Sequence, residues 1–179
     1  MFFFTVIDCF LDPTDPATYN LPDGYMYSER PRSWGRFFWR RGGAADWQTA
    51  KNTCEQEGAE LPVPRDYGQS HFMYQNACGP AFSTEPRTIG CYGIVWLGIN
   101  DEENEGTFVD NDGVPITFSI WHTDNPDRCD NHQNNYRDCE ILDAAFIYGR
   151  HDSGATTFWG KGHTTGQSGT FMCIKFLDP

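Results

Sequence analysis

The chain has 179 residues, room for one domain of ordinary size with an attached arm. Its 25 acidic and 13 basic side chains give a formal charge of −12, whereas a nucleic-acid binder needs a basic surface that displaces phosphate counterions. Aromatics at 16% exclude a disordered chain, 18 Gly and 11 Pro exclude a long-helix protein, and no run approaches the roughly 20 apolar residues of a membrane-spanning helix.

Residues 1–33 read as an N-terminal arm ahead of a domain over 34–179. Pro13, Pro16, Pro22 and Pro31 punctuate the arm, and no hydrophobic period lasts in it. Residues 1–10 are apolar but lack a basic leader and a small-residue cleavage site, so they fit either a shortened signal segment or a first strand. Arg30, Arg32, Arg36, Arg40 and Arg41 form the one basic cluster, suited to a solvated sheet edge or to docking an anion.

The spacing predicts a helix over 47–57. Asp46 caps it, Trp47, Ala50 and Cys54 fall at i, i+3 and i+7, and Gly58 stops it. Leu61 and Val63 suggest a short strand, and 68–76 a second helix with Phe72 and Met73 inward. A loop over 77–91 is bracketed by Cys78 and Cys91. The continuous apolar run 94–99 suits a strand buried on both faces. Further strands are expected at 108–109 and 116–121, with a turn at 111–113 between them. A polar segment over 122–138 then precedes strands at 141–148, 156–159 and 170–176. Helices first and strands later point to an α+β fold.

Seven cysteines without a C-x-x-C pair suit disulfides in an oxidising compartment, hence a secreted, extracellular protein. No G-x-S-x-G, H-E-x-x-H, phosphate-binding or dinucleotide-binding glycine motif occurs, and His122, His132 and His163 match no zinc spacing. No catalytic residue is assigned, and an enzyme is not expected.

One ordered set of motifs is more specific. Trp47-x-x-Ala50-x-x-x-Cys54 is followed by Gly58-Ala59-x-Leu61 and Trp96-Leu97-Gly98-Ile99-Asn100-Asp101. Then come Glu105-Gly106-x-Phe108, Asp112-Gly113-x-Pro115, Trp121 and Phe171-Met172-Cys173. The chain resembles the C-type lectin-like domain over roughly 34–177. The resemblance implies two helices, two small antiparallel sheets and a long ligand loop. It also implies a Cys54–Cys173 disulfide, worth about 4–5 kcal/mol by loop closure. The family's second bridge uses the position of Cys139, but its usual partner is missing between Trp159 and Cys173. Arithmetic then offers Cys129 to Cys139 and Cys78 to Cys91, leaving Cys9 free or available to a second chain.

Sugar-binding members hold vicinal hydroxyls through Ca2+, a hard cation that takes six to eight oxygens. Their signature lies four residues after a tryptophan: an acid or amide, a cis-proline, and another acid or amide. Trp121 is followed at that spacing by Asn125-Pro126-Asp127, and a cis bond at Pro126 would turn both side chains to one point. Amide first and acid second resembles the galactose-type order. His132 or Tyr136 could stack on the sugar or simply anchor the loop, and Trp159 completes the expected ligand-binding set. Two other ligand positions hold cations, Arg137 and Lys161, either of which can pair with Asp127 without metal. For an auxiliary calcium site the resemblance supplies Asp101, Glu105 and Asp138. Alternatively, Asp101 and Asp112 cap turns and the other acids are solvated. The expectation is thus a lectin binding a carbohydrate or glycoprotein, galactose-leaning, with a degraded primary calcium site. The alternative is a calcium-independent interaction module for a protein, lipid or mineral surface.

Overall fold

The structure is a computed structural model and describes residues 12–78, 94–121, 143–149 and 157–177. The first helix, α1 (Trp47–Gln56), starts where Asp46 adopts extended backbone and its Oδ1 accepts from Thr49 N at 2.8 Å. That contact satisfies one of the helix's unpaired amides. Trp47, Ala50 and Cys54 face the core, and Gly58, at φ +68°, lets the chain turn away beyond the end. The second helix, α2 (Tyr67–Cys78), runs a residue or two beyond its expected bounds at each end. Met73 is fully buried, while Phe72 meets the rings of Trp34, Phe37 and Trp39 edge-on.

Six strands follow in chain order: β1 (Met26–Ser28), β2 (Phe37–Ala45), β3 (Ile94–Asn100), β4 (Asp143–Gly149), β5 (Thr157–His163) and β6 (Gly169–Phe176). Two antiparallel ladders form, β1-β2-β6 and β3-β4-β5. They meet where β6 and β3 run parallel at Val95↔Thr170, giving a mixed sheet in the order β1-β2-β6-β3-β4-β5. Two helices on this sheet make the α+β fold that the motif order implies.

Strand β3 divides the core because alternate side chains point to opposite faces. Trp96 joins a cluster with Phe38, Trp47, Cys54, Leu61 and Phe171. Val95, Leu97 and Ile99 join a second with Met73, Ile147 and Trp159. Gly98 between them is required by close approach: a Cβ there would collide with the Leu61 carbonyl oxygen and the Asn111 amide. Gly98 N instead donates to Pro62 O at 3.0 Å.

Cys54 and Cys173 form the implied disulfide, with Cα atoms 5.2 Å apart across 119 residues of sequence. Cys9, Cys91, Cys129 and Cys139 lie outside the described residues, as does the side chain of Cys78.

Several local expectations change. Residues 61–63 form no strand; the segment is pinned by a single bridge, Glu60↔Ile174, and by Gly98. Ile116, Phe118 and Ile120 alternate like a strand, but only Trp121 bridges a neighbour, and the three pack on the second core cluster. Strand β2 takes in Arg40 and Arg41, the last two arginines of the cluster that suggested a solvated or anion-docking edge. Arg40 donates to both carboxylate oxygens of Glu57 at the end of α1, and Arg41 Nε donates to Ala77 O near the end of α2 at 2.6 Å. A guanidinium fork matches a carboxylate, and a cation suits the carbonyl end of a helix. The described part of the N-terminal segment lies along the sheet, with β1 paired to β2 and Leu21 and Tyr25 buried. The Tyr25 hydroxyl donates to Glu57 at 3.0 Å; burial, and then Glu57, push it well above the ordinary tyrosine range.

Candidate functional site

The ligand-loop region grows from the second ladder. Strand β3 ends at Asn100, whose Oδ1 accepts from Glu102 N at 3.1 Å. A tight turn over 101–106 follows, in which Asp101 Oδ2 accepts from Gly106 N at 3.0 Å. Gly106 sits at φ +79°, a conformation that favours glycine. The chain then pairs Val109 with Asn100 and with Pro115, and turns over Asp110. Asp110 Oδ1 accepts from Asp112 N and Val114 N, while Oδ2 receives Arg65 at 2.9 Å. Burial alone would raise this carboxyl, but those amides and the guanidinium prevail and hold it below the usual range. Asp110, rather than Asp112, organises the turn.

The segment beyond rises to Trp121 and meets β5. Trp159 N donates to Ile120 O at 3.0 Å, and the two indoles cross at 90° with centroids 5.6 Å apart. Phe108 supports Trp121 at 4.9 Å, and Phe118 supports Trp159 at 5.6 Å. The Trp159 Nε1–H donates to Ser70 Oγ at 3.3 Å, tying this aromatic platform to α2. At the other side of the loop, Asp143 begins β4 opposite His163 of β5. The platform and the β4–β5 ladder therefore hold both sides of the loop's base.

The expected site residues divide sharply. Asn125, Pro126, Asp127, His132, Tyr136 and Asp138 lie outside the described residues. Trp159 is placed in the core with no solvent exposure. Its ring supports Trp121 at the start of the loop and offers no exposed face for the ligand-binding role expected of it. Asp101 and Glu105 share one turn; the Asp101 carboxylate is buried on Gly106, as a turn cap should be, and Glu105 is exposed. Calcium takes six to eight oxygens. Among the described residues no group of three His, Cys, Asp or Glu stands close enough to hold a metal ion. Lys161 lies on β5 opposite Ala145, within the ladder that borders the loop.

Sequence reasoning missed the group on the domain's flank, where Trp34, Glu60, Arg65, Asp112 and Phe176 line a cleft. Those residues come from segments far apart in the chain, so no local spacing marks them.

Comparison with known proteins agrees with this architecture. The sequence pattern of the family described as Lectin C-type domain matches residues 44–158. C-type lectin domain family 17, member A, of Homo sapiens is 21% identical over 138 residues, covering 77% of this chain and 31% of that protein. The alpha-N-acetylgalactosamine-specific lectin of Patiria pectinifera is 45% identical over 47 residues, covering 26% of this chain and 25% of that one. The chain spans less than half the length of these relatives. The crystal structure of the C-type lectin CEL-I from Cucumaria echinata superposes with a TM-score of 0.60 at 16% identity, covering 87% of this chain and 98% of that one. Fold, motif order and the family match over more than half its length agree: the chain belongs to the C-type lectin domain family.

Proposed function

We propose that this chain is a secreted carbohydrate-binding module, with its domain over 34–179 and residues 1–33 as an N-terminal arm. Its ligand would be a sugar or glycoprotein glycan, taken by the loop through Asn125 and Asp127 on either side of Pro126. The observation that supports this most is the seating of Trp121 on Trp159. It gives the loop a rigid start four residues before Asn125, the spacing at which sugar-binding members carry their hydroxyl-binding pair. Amide before acid favours galactose, and the Patiria pectinifera relative is named for N-acetylgalactosamine. Calcium would supply the hydroxyl-bridging charge at Asn125 and Asp127, and Asp101, Glu105 and Asp138 would belong to an auxiliary calcium site.

The test is retention on galactose resin with calcium, followed by EDTA. Retention that EDTA or free galactose releases, and that Asn125→Ala or Asp127→Ala abolishes, is the expected result. A second reading is favoured by Arg137 and Lys161, cations at family ligand positions, which suit a calcium-independent module for a protein, lipid or mineral surface. If calcium neither raises Tm nor alters glycan-array binding, the second reading replaces the first.

A further inference from the structure

The flank cleft measures about 220 Å3, below the roughly 300–1,000 Å3 of sites for drug-sized ligands. It has room for one small ring. None of its lining residues belongs to the aromatic platform of Phe108, Phe118, Trp121 and Trp159. Its apolar part is aromatic. Trp34 is half-buried and packed edge-on against Phe37, Phe72 and Phe176 at 5.4–5.9 Å, and Phe176 remains 36% exposed. These rings are held by one another, so they offer apolar surface at little ordering cost.

The polar part is also fixed, yet it keeps unused hydrogen-bonding capacity of both kinds. Asn111 donates to Glu60 Oε2 and to Leu61 O, which leaves Glu60 Oε1 without a donor among the described residues. The Asp112 carboxylate likewise accepts nothing there and is exposed. Arg65 commits Nη2 to Asp110, while its Nε and Nη1 donate to no described residue. Gln69 accepts from Arg65 N and donates to Ser33 Oγ at 2.9 Å, leaving the Ser33 hydroxyl proton without an acceptor among the described residues.

An organic cation would use only the acceptors, and an anion only the donors. A hydroxyl group uses both, and a pyranose adds a C–H face for the rings. We propose that this cleft is a second sugar subsite, independent of metal, that takes a single pyranose ring on Trp34 and Phe176. Glu60 and Asp112 accept from its hydroxyls, and Arg65 and Ser33 donate to them. The subsite goes beyond the loop reading and does not depend on it.

The experiment is a titration of the full chain, in EDTA, with methyl galactoside and methyl glucoside, followed by 15N NMR. The Trp34 indole and the Asn111 and Gln69 side-chain amides are the reporters. The expected result is saturable shifts at all three with millimolar affinity, weakened about tenfold by Trp34→Phe with Asp112→Asn and unchanged in Asn125→Ala. Asp112 is exposed, so that substitution alone serves if the pair perturbs folding. Reporters that stay still with both glycosides overturn the proposal. So do reporters that respond instead to butylammonium or inorganic phosphate, and shifts that vanish with Asn125→Ala. Loss of galactose-resin retention in calcium, with these EDTA shifts intact, would count against the loop reading alone.

Discussion

The two ladders solve the same problem with different chemistry. Around β1-β2-β6 and α1, long-range contacts are locked covalently and by charge: Cys54–Cys173 joins helix to strand, and Arg40 joins β2 to Glu57. Around β3-β4-β5 and α2 no disulfide falls among the described residues, and Trp159, Trp121, Phe118 and Phe108 pack ring against ring at interplanar angles of 53–90°. The ligand loop leaves from this second region. A cystine restrains two points of the backbone, whereas interlocked rings restrain a whole surface, here the one at which Trp121 ends the described segment. On the proposed function, the first ladder holds the domain together and the second carries the base from which the loop leaves.

The comparison breaks most readily at the cystine. Replacing Cys54 and Cys173 together by Ala should cost about 4–5 kcal/mol, read as a lower urea midpoint, with near-UV signals of the aromatic platform kept in whatever fraction remains folded. A loss under about 1 kcal/mol would mean that ring packing, not the cystine, holds the first region. Trp159→Ala should come next, at about 3–5 kcal/mol. It should also abolish resin retention, because the start of the loop loses its seat. Ser70→Ala, which removes only the indole's acceptor, should cost about 1 kcal/mol and leave retention in place.

The smallest effects sharpen the contrast at the 110–112 turn through pH. Asp110 sits below the usual carboxylate range, so its stabilisation is present above its unfolded pKa and is lost as pH falls through the folded value, below about pH 4. Glu60 moves the other way. Burial raises it, with Asp112 and Asp110 adding and Asn111 and Lys175 opposing. Its contribution is full below its unfolded pKa and is lost as pH rises through the folded one. Urea midpoints against pH should therefore show a shallower acid limb for Asp110→Asn. Glu60→Gln should gain on the parent protein as pH rises above about 4.3. Parallel curves for all three proteins would remove the assignment.

Much of the frame was legible along the chain. The Asp46 cap, the Trp47, Ala50 and Cys54 stripe and the buried β3 run depend on contacts within a few residues, and their periods stand out. Strand β2 did not stand out. Phe37, Phe38 and Trp39 have strong β-propensity, but Arg40 and Arg41 next to them drew attention to charge. Their real partners, Glu57 and Ala77, lie 17 and 36 residues away. Residues 116–121 misled in the opposite sense: alternation promised a strand, and only Trp121 found one to pair with.

By itself the sequence determined the helix cap and stripe, the two helices and the buried β3 run after them, the family and the cystine that goes with it, because each is written in neighbouring residues or in motif order. Tertiary structure alone decided that Trp159 is a hidden support, that Asp110 and not Asp112 organises its turn, and that four distant segments meet in a flank cleft. The reason is physical. Burial, ion pairing and concavity belong to surfaces brought together across long stretches of chain, and no local pattern of residues encodes which surfaces will meet.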